Sequence, residues 1–134
     1  MNCPHCKIHV YKHTASRCFD AWVARDVMGH SDIRKREQAI GGHDSWEYCL
    51  YTGDCHEPYG VNCFFSTNIA AAWLVHKKAC SLRFSRRKQY LQELRSSVSA
   101  RVYPQVMISW PDVMIFLEPV DFCRAATITF LKDK

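Results

Sequence analysis

The sequence predicts an α+β domain in which helices pack on a small antiparallel sheet, preceded by a zinc-knuckle-like segment. Three observations carry that prediction. Apolar residues recur at helical spacing after Ser16, after Thr67 and after Pro119. Two apolar runs, 106–110 and 113–117, flank the turn dipeptide Pro111-Asp112 and predict a buried hairpin. Cys3 and Cys6 form a C-x2-C pair, the spacing with which two thiolates on a turn share one tetrahedral zinc.

The elements follow in chain order. Residues 1–17 have the character of a knuckle. Ser16 caps a helix whose Phe19, Trp22, Val23 and Val27 share one face, and Gly29 marks its end. Residues 31–38 are polar and charged, a loop or a loose turn. Gly41-Gly42 breaks the chain, 46–51 alternates aromatic and polar residues as a strand does, and 52–62 reads as a loop. Ser66 or Thr67 is expected to cap a second helix with Ile69, Trp73, His76 and Cys80 on its buried stripe. A further helical stretch from about Ser85 carries Leu91, Leu94 and Val98, either as a separate helix or as the continuation of a bent rod. After the hairpin, Pro119 fits the first position of a closing helix with Cys123, Ala126, Thr127 and Phe130 inward.

With 134 residues, 48% hydrophobic and 23% charged, the chain is long enough for one core and too ordinary in composition to be disordered or coiled-coil. No apolar run approaches the roughly 18 residues of a membrane helix. The start is polar and His-rich rather than leader-like, so reduced thiols in a cytoplasm are the expectation. Charge is unevenly placed. No Lys or Arg occurs in 38–76, whereas 77–101 holds eight basic residues against Glu93 alone. Such a strip attracts anions, or is simply a solvated helix face.

Clustered Cys and His are therefore read first as metal ligands. Cys3, Cys6, His13 and Cys18 make C-x2-C-x6-H-x4-C, close to a zinc knuckle with a long middle spacer. His9 is the alternative to His13, and Cys49, Cys55, His56 or Cys63 the alternatives to Cys18. A redox role for the pair is disfavoured, because only two residues precede Cys3 and no strand can lead into it. His43, Cys49, Cys55, His56 and Cys63 match no zinc module and read as buried thiols and their neighbours. His76 and Cys80 read as core. Arg83, Arg86, Arg87 and Lys88 gather where a helix is expected to start, with Phe84 and Tyr90 as stacking neighbours or core anchors, so Arg83, Arg86, Arg87, Lys88 and Tyr90 form a candidate anion site. No P-loop, dinucleotide fingerprint, H-E-x-x-H helix or nucleophile elbow is present, which makes an enzyme the weaker reading.

The segments CFDAWVARDVMG, FFSTNIAAAW and SWPDVMIFLEPVDFCRAA resemble, in order and spacing, the small bacteriophage family described as the phage ABA sandwich domain, over most of 18–131. The resemblance implies a three-layer helix–sheet–helix domain over 18–134, with the basic stretch around 83–101 as an elaboration. It assigns no catalytic or binding residue. The expected function is a phage-encoded, non-enzymatic binding protein, a takeover or counter-defence factor in the infected bacterial cytoplasm. It would sequester a host protein or a phosphorylated small molecule. Its runner-up is a zinc-containing nucleic-acid-binding regulator; a structural or assembly accessory that forms homo-oligomers is the third.

Overall fold

A computed structural model describes residues 1–4, 6–29, 33–35, 48–52, 55–56 and 64–132. Five helices dominate them: α1 (Arg17–Asp26), α2 (Ile69–Cys80), α3 (Phe84–Val102), α4 (Trp110–Phe116) and α5 (Pro119–Leu131). A 3-10 turn, Val10–Lys12, precedes α1. Three short strands, β1 (Ile33–Lys35), β2 (Tyr48–Thr52) and β3 (Cys55–His56), pair antiparallel in the order β1-β2-β3, with Ile33 opposite Leu50 and Tyr51 opposite His56. Of the predicted strand 46–51, residues 46 and 47 lie outside the described residues, as do Gly41, Gly42 and most of the loop 52–62.

The helix–sheet–helix sandwich is not the architecture. The core is helix on helix: α5 lies at its centre and packs against α3, α2, α1 and the 3-10 turn. The predicted hairpin fails at the same place. Residues 110–116 form α4, Pro111 sits in its first turn where its missing N–H is no loss, and Ser109 stands before it in extended conformation. Of that run only Val113 is buried within the helix, joining Val98 and Ile108 in a small second cluster. An apolar run of five residues has no period by which strand and helix can be told apart.

Other elements follow the sequence closely. The Ser16 hydroxyl accepts from the Phe19 N–H at 3.2 Å, and Phe19, Trp22, Val23 and Val27 are all buried. Gly29 takes φ +78°, the left-handed conformation that ends a helix without a Cβ penalty. Pro119 opens α5, where Glu118 and Asp121 form a capping box, and Cys123, Ala126 and Thr127 are buried.

The second helix differs in cap and in face. Asn68, rather than Ser66 or Thr67, caps α2 by accepting from the Ala71 N–H at 3.1 Å. Ser66 is used elsewhere: its hydroxyl donates to Asp20 Oδ1 at 2.7 Å and accepts from the Ser16 N–H at 3.0 Å, clamping the start of α2 onto α1. The buried face of α2 is Ala71, Ala72, Val75 and Ala79, while Ile69 and Trp73 are exposed and His76 and Cys80 half-buried. Small side chains let α2 approach α5 closely, which leaves the large ones at the rim. Residues 81–83 separate α2 from α3, so the two are distinct helices. Among the described residues no helix is long and apolar enough to cross a membrane.

Candidate metal centre

The N-terminal knuckle is a tight turn held by its own backbone. The Cys3 N–H donates to the Ile8 carbonyl at 2.9 Å, and the Lys7 N–H donates to the Cys3 carbonyl at 3.0 Å. Lys7 has φ +66°, the left-handed region that a side chain tolerates poorly. Lys7→Gly is therefore expected to raise stability by about 0.5–1 kcal/mol, read as a shift of the urea midpoint at constant slope. A destabilising result would mean that the stem of Lys7, whose ammonium reaches the Pro4 carbonyl at 3.1 Å, matters more than backbone strain.

This turn, the 3-10 turn and the first turn of α1 converge on one point. Donor atoms of Cys3, Cys6, His13 and Cys18 all lie within 4.8 Å of one another. Cys3 Sγ is 3.3 Å from Cys18 Sγ, and Cys6 Sγ is 3.3 Å from His13 Nε2. Cys3 and His13 are buried, Cys18 half-buried and Cys6 exposed. The three cysteines are free thiols, so the set can hold a metal ion.

The surrounding groups prepare His13 for that role. Its Nδ1 faces the Thr14 carbonyl at 3.0 Å, so Nδ1 carries the proton and the Nε2 lone pair points at the thiols. Phe19 packs 4.5 Å from its ring and fixes the ring plane. Burial holds the imidazole below its ordinary pKa, and neutral imidazole is the ligating form. At Cys18, burial first, then its hydrogen bonds with Cys3 and Cys6, push the thiol well up. At Cys6 burial acts the same way, but hydrogen bonds from the Ile8 backbone and from Cys18 and Cys3 outweigh it and bring the thiol down. Three crowded sulfurs cannot all ionise without a cation among them.

Arg124 of α5 joins the centre to the helices. Its guanidinium donates to the His13 carbonyl at 2.7 Å, the Val10 carbonyl at 3.2 Å and Ser97 Oγ at 2.8 Å. Cys3 and Val10 also belong to the same core cluster as Phe19, Trp22 and Phe122, so these two side chains anchor the knuckle in the helical core. The sequence shows Arg124 only as a helix residue three positions after Asp121; nothing in its spacing points to partners more than a hundred residues earlier.

The alternatives fall elsewhere. His9 is stacked on Tyr11 at 5.3 Å and accepts from the Tyr11 N–H, outside the cluster. His43 and Cys63, and the side chains of Cys49, Cys55 and His56, lie outside the described residues. Of the anion candidates, Arg83, Arg87 and Lys88 are exposed at the start of α3, and Arg86 is half-buried. The Arg87 guanidinium lies 5.7 Å over the exposed ring of Phe84. Tyr90 does not belong with them. It is fully buried, with its hydroxyl 2.9 Å from His76 Nδ1, and no ligand can stack on it.

No family model matches this chain, and no curated protein or solved structure matches it.

Proposed function

We propose that the protein is a non-enzymatic binding module built on one structural zinc ion, with the α2–α3 corner as the seat of a phosphate-bearing ligand. The observation that carries the reading is the closed set of Cys3, Cys6, His13 and Cys18. Three thiolates and one imidazole suit zinc, and four protein ligands leave no open position for a substrate or an attacking water. A tetrahedral ion at about 2.3 Å from each sulfur places the sulfurs about 3.8 Å apart. That spacing lies within the range the four donor atoms already occupy, so zinc binding needs little rearrangement.

The anion seat is supported by charge and exposure. Lys77 and Lys78 lie in the last turn of α2, Arg83, Arg87 and Lys88 lie at the start of α3, all five are exposed, and Arg87 lies over the open ring of Phe84. The first turn of α3 carries no acidic residue, so no side-chain anion offsets the positive end of its dipole there. The phage resemblance of the sequence extends the reading to a phage-encoded factor acting on a phosphorylated signal or host partner in an infected cell. A salt-sensitive grip on an oligonucleotide would favour the regulator reading instead.

Native mass spectrometry of the purified chain tests both parts. One zinc per chain is expected, and a metal-free spectrum after refolding with zinc would refute the centre. Binding of a nucleotide and of a single-stranded RNA probe is then compared for wild type and the Arg83→Glu, Arg87→Glu, Lys88→Glu variant. The variant is expected to bind at least about tenfold more weakly, since a phosphate that meets no cation keeps its counterions and contributes no release entropy. Equal binding, or none by either protein, would remove the α2–α3 corner from the proposal.

A further inference from the structure

Half of the large exposed apolar side chains among the described residues lie in one stretch of chain. Tyr103, Val106, Met107, Trp110, Met114, Ile115 and Phe116 are between 37% and 71% exposed. The Tyr103 and Phe116 rings meet edge to face at 6.4 Å, which brings the segment after α3 against the end of α4. Beside it lies a shallow depression of about 320 Å³ lined by Tyr103, Pro104, Gln105 and Val106. Between 103 and 117 the only charged residue is Asp112, in a protein of net charge +5.

We propose that this face is the interface of a homodimer, formed by a second copy of the chain. Area is the first argument. On full side-chain areas of about 150–250 Å² for residues of this size, the seven expose roughly 700 Å², against roughly 800 Å² per partner in a standard interface. A patch of that extent is larger than a monomer ordinarily leaves open. Charge is the second. Two basic proteins repel, and they meet most easily where cations are fewest. At the edge of this patch Arg101 is paired with Glu118 and Asp121. An aromatic, Met-rich and charge-depleted patch is the composition of homodimer interfaces. Shape is the third. The patch holds both projecting side chains, Met114 and Ile115, and the depression, so two copies related by a two-fold axis can fill each other's depression. The surface is also held firmly from beneath. Arg95 donates to the Ile108 carbonyl at 2.6 Å, the Ser99 hydroxyl accepts from the Ile108 N–H at 3.1 Å, and Arg101 donates to the Phe116 carbonyl. Little ordering is then required on association. This inference is independent of the zinc reading.

Sedimentation velocity of the full-length, zinc-supplemented chain from 1 to 100 μM tests it. A shift from the monomer mass to twice that mass is expected within the range. Met114→Glu combined with Ile115→Glu places two charges on exposed sites outside both core clusters, so the variant should keep its helical circular dichroism. It is expected to raise the dimer dissociation constant at least about 100-fold, because a charge buried without a partner in each half is strongly unfavourable. Lys77→Glu, on α2, serves as the control and should dimerise at least as well as wild type. A chain that stays monomeric throughout overturns the proposal, and so does a dimer that the double variant leaves intact. The first result would mean that a different protein, or another part of this chain, occupies the face.

Discussion

Cys6→Ser is expected to release the metal and to lower the thermal midpoint by more than about 10 °C, to the value of chelator-treated wild type. Cys6 is the one exposed member of the four, so its replacement leaves the core untouched and isolates the metal's contribution. A structural ion at a thousandfold excess over its dissociation constant contributes about 4 kcal/mol to the folded state. Each kcal/mol moves the midpoint of a chain this size by roughly 3–6 °C. A bound ion would also offset the charge of a Cys18 thiolate, which burial and the neighbouring Cys3 and Cys6 otherwise disfavour. Without it, the knuckle retains the Arg124 bonds to the Val10 and His13 carbonyls but loses its centre. Differential scanning calorimetry of the wild type, the variant and the chelated wild type separates the cases. Coincident midpoints with and without chelator would show that metal plays no part in holding this fold.

Asp121→Ala is expected to cost about 3–5 kcal/mol. The Asp121 side chain is wholly buried and accepts from Ser97 Oγ at 2.8 Å, Arg101 Nη2 at 2.7 Å and the Glu118 N–H at 2.9 Å, with Arg124 at 3.6 Å. Removing the carboxylate leaves Arg124, itself almost buried, without its anion and opens the cap of α5. The same carboxylate links α3, the end of α4 and, through Arg124, the knuckle. Asp112→Ala provides the contrast: that residue is exposed, its bond to Ser109 is on the surface, and its loss should cost less than about 0.5 kcal/mol. Urea unfolding followed by tryptophan fluorescence gives both values. Similar midpoints for the two variants would mean that the buried network contributes no more than a surface pair.

Helix starts and stops are legible in the sequence where local chemistry sets them. Ser16, Gly29 and Pro119 act through bonds or dihedral preferences within a few residues, and each is found in its expected role. Faces are legible where large apolar residues sit on the core side, as in α1. They are not legible in α2, because the stripe through Ile69 and Trp73 and the stripe through Ala72 and Val75 have the same period. Only the closeness of α5 selects which one is buried. Tyr90 escapes a sequence reading for the related reason that an aromatic beside cations has the same signature whether it faces solvent or core.

The donor atoms of the candidate metal centre are written in the chain itself: C-x2-C on a turn, a histidine and a third cysteine within eighteen residues, all short-range. The charge polarity, the Ser16 cap and the start of the closing helix at Pro119 are equally local. That 110–116 is a helix rather than half of a hairpin is settled by packing alone. Strand pairing is a long-range relation, and an apolar run takes whichever structure the neighbouring surface can complete. The same holds for Asp121 and Arg124. Each looks like an ordinary helix residue in the sequence, and both gain their partners from α3 and the knuckle only when α5 is enclosed between them.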